Sequence, residues 1–165
     1  MWRTLPRTLI LSVLRAIPAS PAWRTYHALC VTVFGLADSD LREQVQIVFV
    51  QSEKVCITQV AEAWRTLTGL FGYRLRAELD ADFETLTSAL SIAMHGRLVA
   101  ELGAPDIAGR HITASPYGAP ERERCTLSAL SVAGVAMTFL EPDPEAEWGE
   151  QSLYRIHQAI DTWVG

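Results

Sequence analysis

The sequence predicts an all-α domain, a helix bundle of about six helices around one core. Three observations predict it. Apolar residues recur at spacings of three and four over long stretches. Prolines and glycines punctuate those stretches at their ends. The one run rich in β-branched residues, Val45 to Val50, sits inside a helical pattern that continues unbroken on both sides. A chain of 165 residues fits a single domain over its whole length, and a domain of that size buries a substantial core.

The first expected helix runs from about Leu5 to Ile17, with Pro6 in its first turn and Leu9, Val13, Leu14 and Ile17 at helical spacing. The arginines before Leu9-Ile10-Leu11 give this segment the outline of a signal peptide. Arg15 interrupts the apolar run, however, and no small-x-small cleavage site follows. The run is also too short to span a bilayer. Pro18-Ala19-Ser20-Pro21 breaks the chain, and a second helix follows from Ala22 to Gly35. Tyr26, Leu29, Cys30 and Val33 share one stripe of it, with Trp23 a turn earlier and Phe34 alongside.

The third helix opens at Asp38 or Ser39, with Asp40 and Glu43 where carboxylates favour the positive end of the helix dipole. From Leu41 the stripe continues through Val45, Val48, Phe49, Val55, Cys56, Val60, Ala63, Trp64 and Leu67, roughly thirty residues of helix. Gly69 and Gly72 end it, and Tyr73 to Leu79 reads as a connection. The next helix starts at Asp80, with Asp82 and Glu84 in its first turn, and continues to about Leu102. Phe83, Leu86, Leu90, Ala93, Met94, Arg97 and Leu98 map its apolar face. Pro105 to Pro120 reads as a loop of about fifteen residues. A helix is expected from Glu121 to Leu140, a stop at Glu141-Pro142-Asp143-Pro144, and a last helix from Glu147 to Val164.

Composition narrows function. A net charge of −5 supplies no basic field for a phosphate backbone, so direct nucleic-acid contact by this chain is not expected. The 3 cysteines, Cys30, Cys56 and Cys125, stand singly without zinc or redox spacing. They read as reduced, mostly buried thiols of a cytoplasmic protein. His27, His95, His111 and His157 fall on different elements without a second ligand type nearby, so no metal or cofactor is expected. No serine sits in a nucleophile elbow and no phosphate-cradling glycine loop is present. Paired carboxylates such as Asp80 and Asp82 read as helix-start charges. The chain is not expected to be an enzyme.

Two features point to binding. Trp23, Tyr26, Phe49, Trp64, Met94 and Met137, with Gln59 and His95 as polar groups, are the candidate lining of an apolar ligand site between helices. A packed core accounts for the same residues. Arg24 is a further polar candidate. The segment Ser128 to Met137 is almost wholly small or apolar, with a mid-helix glycine that costs about 1 kcal/mol against alanine. Ser131, Gly134, Val135 and Thr138 give it a flat strip on which another backbone can approach. That strip fits an intramolecular core or a dimer seam equally well.

The stretch Ala37-Asp38-Ser39-Asp40-Leu41-Arg42-Glu43 opens a helix ending in Trp64-Arg65. Tyr73-Arg74-Leu75-Arg76 follows, then Leu79-Asp80-Ala81-Asp82-Phe83-Glu84-Thr85-Leu86, and a small-residue helix runs into Phe139-Leu140-Glu141-Pro142. In this order the chain resembles the C-terminal ligand-binding and dimerisation domain of TetR-type transcriptional regulators, over roughly Ser20 to Leu140. Family members begin with a DNA-binding unit of about fifty residues containing a helix-turn-helix. Met1 to Ala37 does not match it, and Pro18 and Pro21 would break it. Residues 1–20 then read as the remnant of a helix linking to such a unit, or the chain is a stand-alone sensor. The resemblance implies a homodimer that senses a small apolar ligand, with the helices from Asp80 and Glu121 forming a four-helix seam. A helical protein–protein adaptor without a small-molecule pocket is the alternative.

Overall fold

The computed structural model of the 165-residue chain describes residues 21–35, 37, 40–115, 122–146, 154, 155 and 158. Those residues are mostly helical. In chain order they form α1 (Pro21–Phe34), α2 (Asp40–Leu70), β1 (Tyr73–Leu75), α3 (Phe83–Gly103) and the single turn α4 (Pro105–Ala108). Then come β2 (His111–Ala114), β3 (Glu123–Thr126), α5 (Leu127–Phe139) and β4 (Leu140–Pro142). The helices expected at Leu5–Ile17 and Glu147–Val164 lie outside the described residues, apart from Tyr154, Arg155 and Gln158 of the latter.

The long helix forms over 31 residues with Asp40 and Glu43 in its first turn, but much of its apolar stripe is open to water, Leu41, Val48, Val55 and Val60 all being exposed. Gly72, at φ 66°, makes the turn out of it, a left-handed conformation that a side chain would strain. The following helix begins three residues later than Asp80. The Asp82 side chain accepts from the Thr85 backbone N–H at 2.8 Å, so Asp82 is the N-cap and Phe83 the first helical residue.

A strand-free bundle was expected, and the structure corrects this with two small antiparallel sheets. β1 pairs with β4, Arg74 opposite Glu141 and Leu75 opposite Leu140. The segment Tyr73 to Leu79 is therefore part strand rather than plain connection. β2 pairs with β3, Ile112 opposite Cys125 and Thr113 opposite Arg124. The expected loop from Pro105 thus carries a turn of helix and a strand. The expected helix from Glu121 instead begins at Leu127, where the Thr126 hydroxyl accepts from the Ala129 N–H. Runs of three or four residues are too short to declare a period, and their pairing partners are distant in sequence.

α3 lies at the centre, packed against α2 on one side and α5 on the other. Leu86, Leu90 and Met94 of α3 form the core with Val132 and Ala136 of α5 and Leu140 of β4. Trp64, Tyr73, Leu75, Phe83 and Phe139 close over it. The buried Thr68 and Thr87 donate their hydroxyls to the carbonyls of Trp64 and Phe83, so burial orphans neither side-chain donor. β1 and β4 fasten the far ends of α2 and α5 together. The Arg76 N–H donates to Phe139 O at 2.9 Å and the Asp143 N–H to Gly72 O at 2.8 Å. Of the cysteines, only Cys125 is buried; Cys30 is half-buried and Cys56 exposed, contrary to the expectation of mostly buried thiols. No helix among the described residues is long and apolar enough to cross a membrane.

Candidate ligand site and outer helix face

Where α1 crosses α2 and α3, polar groups from all three helices meet. Phe49, Glu53 and Ile57 of α2 follow one another at steps of four, which places a carboxylate on the half-buried stripe of that helix. Tyr26 of α1 donates its phenol hydrogen to Glu53 Oε2. Ser91 of α3 donates to the other oxygen, Oε1, at 3.1 Å. The Tyr26 ring meets Phe49 edge-on at 5.7 Å and lies tilted 6.4 Å from His95.

His95 Nδ1 stands 2.8 Å from the Ser91 carbonyl oxygen. A carbonyl only accepts, so Nδ1 carries a hydrogen and donates it. Ser91 Oγ is 3.5 Å from that same Nδ1. A nitrogen already donating to a carbonyl cannot take the serine's proton, so this Ser–His pair is not an activated nucleophile. Burial, then the adjoining Glu53 carboxylate, push the Tyr26 phenol well above its ordinary range. Burial also raises the Cys30 thiol. Phenol and thiol are thereby held in their protonated forms, and the phenol donates to Glu53.

Of the expected ligand-site residues, the structure gathers Tyr26, Phe49 and His95 here. Met94 is built into the core instead, and Trp64 packs against that core. Gln59 is exposed and Met137 half-buried on α5. The side chains of Trp23 and Arg24 lie outside the described residues. Glu53 and Ser91 were missed by the sequence reading. A carboxylate at the step of four between Phe49 and Ile57, and a serine four before His95, were the signals that could have found them.

Two further surfaces lie on the outward sides of α3 and α5, each facing away from the other helix. Ile92, Gly96 and Val99 share the face of α3 opposite the core, with Leu102 at its margin. Ile92, Val99 and Leu102 are 73%, 59% and 73% exposed, far more than an apolar side chain on a covered face. The outer face of α5 carries Leu127, Ser131, Gly134 and Thr138, with Val135 half-buried beside it. Ser131 Oγ donates to Leu127 O at 2.9 Å and Thr138 Oγ1 to Gly134 O at 3.0 Å. Both hydroxyls are thus satisfied within the helix, and covering this strip would orphan neither donor. A Cβ built on Gly96 or Gly134 meets nothing within 4 Å. Neither glycine is required by packing among the described residues.

Among the described residues no group of three or more His, Cys, Asp or Glu side chains could hold a metal ion. The chain matches no family model, no curated protein and no solved structure.

Proposed function

We propose that this chain is the effector-binding and dimerisation domain of a TetR-like transcriptional regulator: a cytoplasmic, non-enzymatic homodimer that senses a small, largely apolar ligand. The observation that carries this reading is apolar helix surface left open to water on α3 and on α5, above all the small-residue strip of α5. α3 presents large side chains, Ile92, Val99 and Leu102, while α5 presents the shallow strip Ser131, Gly134 and Thr138. A twofold axis between two copies lays the small-residue strip of one α5 against its counterpart. Such an isologous contact accounts for a mid-helix glycine with no described neighbour, at about 1 kcal/mol against alanine.

The ligand is assigned to the junction of α1, α2 and α3, where Tyr26, Phe49 and His95 meet. Binding there acts by favouring one of two packings of α1 and α2 on α3. DNA contact is not assigned to these residues, in keeping with the net charge of −5.

Sedimentation equilibrium of the full chain tests the reading first, with a dimer expected at micromolar concentration. A thermal-shift screen with hydrophobic compounds tests the second part, with a dose-dependent rise in Tm expected. A strictly monomeric species removes the dimer reading. A dimer indifferent to every compound favours a protein–protein adaptor.

A further inference from the structure

We propose that residues 5–17 of this chain dock as a helix along the outer side of α2, on the stripe formed by Leu41, Val48 and Val55. These three recur at steps of seven and so share one side of the helix. They are 60%, 62% and 60% exposed, the accessibility of side chains with little over them. Gln44, Gln51 and Ser52, beside them on the same side, are exposed and uncharged. A helix face made for water carries charge, and this side carries none over residues 41–59. Steps of seven also keep a stripe in register with a neighbouring helix, so the occupant that fits is itself helical.

Residues 5–17 lie outside the described residues, and the sequence supplies the argument for their fit. Leu5, Leu9, Val13 and Ile17 recur at steps of four, on the side opposite Arg3, Arg7 and Arg15. As a helix the segment is about 20 Å long, and the stripe from Leu41 to Val55 about 21 Å, at 1.5 Å per residue. The point of attachment agrees. Tyr26 of α1 bonds to Glu53 of α2 and a short connection joins the two helices, so they run antiparallel. Pro21 then stands near the level of Thr58. A helix that turns back at Pro18 and Pro21 to run beside α1 passes Val55 and then Val48, with its arginines turned to water. The short tether, residues 18–20, holds the segment at an effective concentration of about millimolar, an advantage no free partner of similar fit has.

The test is trypsin cleavage after Arg15 in the full chain, followed by mass spectrometry and compared with a free peptide of residues 1–20 carrying the same sequence. A docked segment must detach before it is cut, so the full chain should be cleaved at least about tenfold more slowly than the peptide. Val48→Asp with Val55→Asp places charge on the stripe at exposed positions and should bring the rate to within about threefold of the peptide's. Val13→Asp should do the same from the other side of the contact, without touching the folded body. Ile92→Asp, an equally exposed apolar position on α3, should leave the protection unchanged. Cleavage of the unmodified chain at the peptide's rate overturns the proposal, and so does protection that survives both the stripe and the segment substitutions. Equal loss of protection in Ile92→Asp overturns it too, by showing that the rate follows general stability. Protection that vanishes on tenfold dilution as the mass falls assigns the stripe to a second copy and overturns it as well.

Discussion

Replacing Gly134 by leucine separates a bare helix face from a covered one by the sign of its effect. Gly134 is mid-helix in α5, exposed, with no heavy atom within 4 Å of a built Cβ. In an isolated chain the substitution therefore meets no obstacle. It should stabilise the helix by about 0.8 kcal/mol through propensity alone, which for a domain of this size raises Tm by roughly 2–3 °C. If a second copy of α3 or α5 lies over the strip, leucine overpacks the contact. That costs about 1–3 kcal/mol at each insertion, and a twofold axis doubles it to roughly 2–6 kcal/mol. Each 1.4 kcal/mol is about a factor of ten in dissociation constant, so the dimer should weaken by at least about thirtyfold. Sedimentation equilibrium reads the mass change, and calorimetry at two protein concentrations reads stability. Gly69→Ala, at an open site in α2 away from this face, serves as the control that should leave the mass unchanged. A Gly134→Leu variant of unaltered mass and higher Tm would refute the seam.

Leu86 is 0% exposed in the core, and Leu86→Ala should cost about 2–5 kcal/mol in urea unfolding; a loss below about 1 kcal/mol would contradict the packing described. Thr126 caps α5, and Thr126→Ala should cost about 1 kcal/mol by the same measurement, with helical circular dichroism otherwise kept. Arg97 pairs with Glu101 at 2.7 Å, with its side chain 11% exposed; Glu101→Ala should destabilise by roughly 1–3 kcal/mol by removing a carboxylate from a largely buried guanidinium, more than an exposed pair would. Burial pushes both the Tyr26 phenol and the Cys30 thiol up. The unfolded chain then releases those protons first, so their stabilising contribution is intact below about pH 9 and declines as pH rises above it. Tm measured from about pH 8 to about pH 11 should fall more steeply than in Tyr26→Phe, and identical profiles would contradict the coupling.

The long helices were legible because their signals are local and repeated. Leu41 through Leu67 declares its period several times over, and Asp40 and Glu43 mark its start. The register at Asp82 was less legible, since Asp80 and Asp82 are chemically equal in sequence and only the backbone decides which one caps. Tyr73–Leu75 carried no usable signal, because a three-residue strand exists only by virtue of Leu140–Pro142, some 65 residues away. Within the candidate site the aromatic members could be named in advance, since Tyr26 and Phe49 lie on apolar stripes. Glu53 could not, because a carboxylate on a helix is ordinarily taken as solvated, and its partners come from two other helices. Met94 was assigned to a ligand and belongs to the core. An apolar stripe reports that a residue points inward, not what it meets there.

The short pairing of β1 with β4 has a mechanical consequence. Leu140 follows α5 without a linker, and three hydrogen-bonded residues lock it to the strand that leaves α2. The other end of α5, about 20 Å away at 1.5 Å per residue, is tied in the same way: Thr126 ends β3 and Leu127 donates to Arg110 O. α5 is thus strung between two short strand pairs, so its axial position is set at both ends by backbone hydrogen bonds as well as by the side chains it buries.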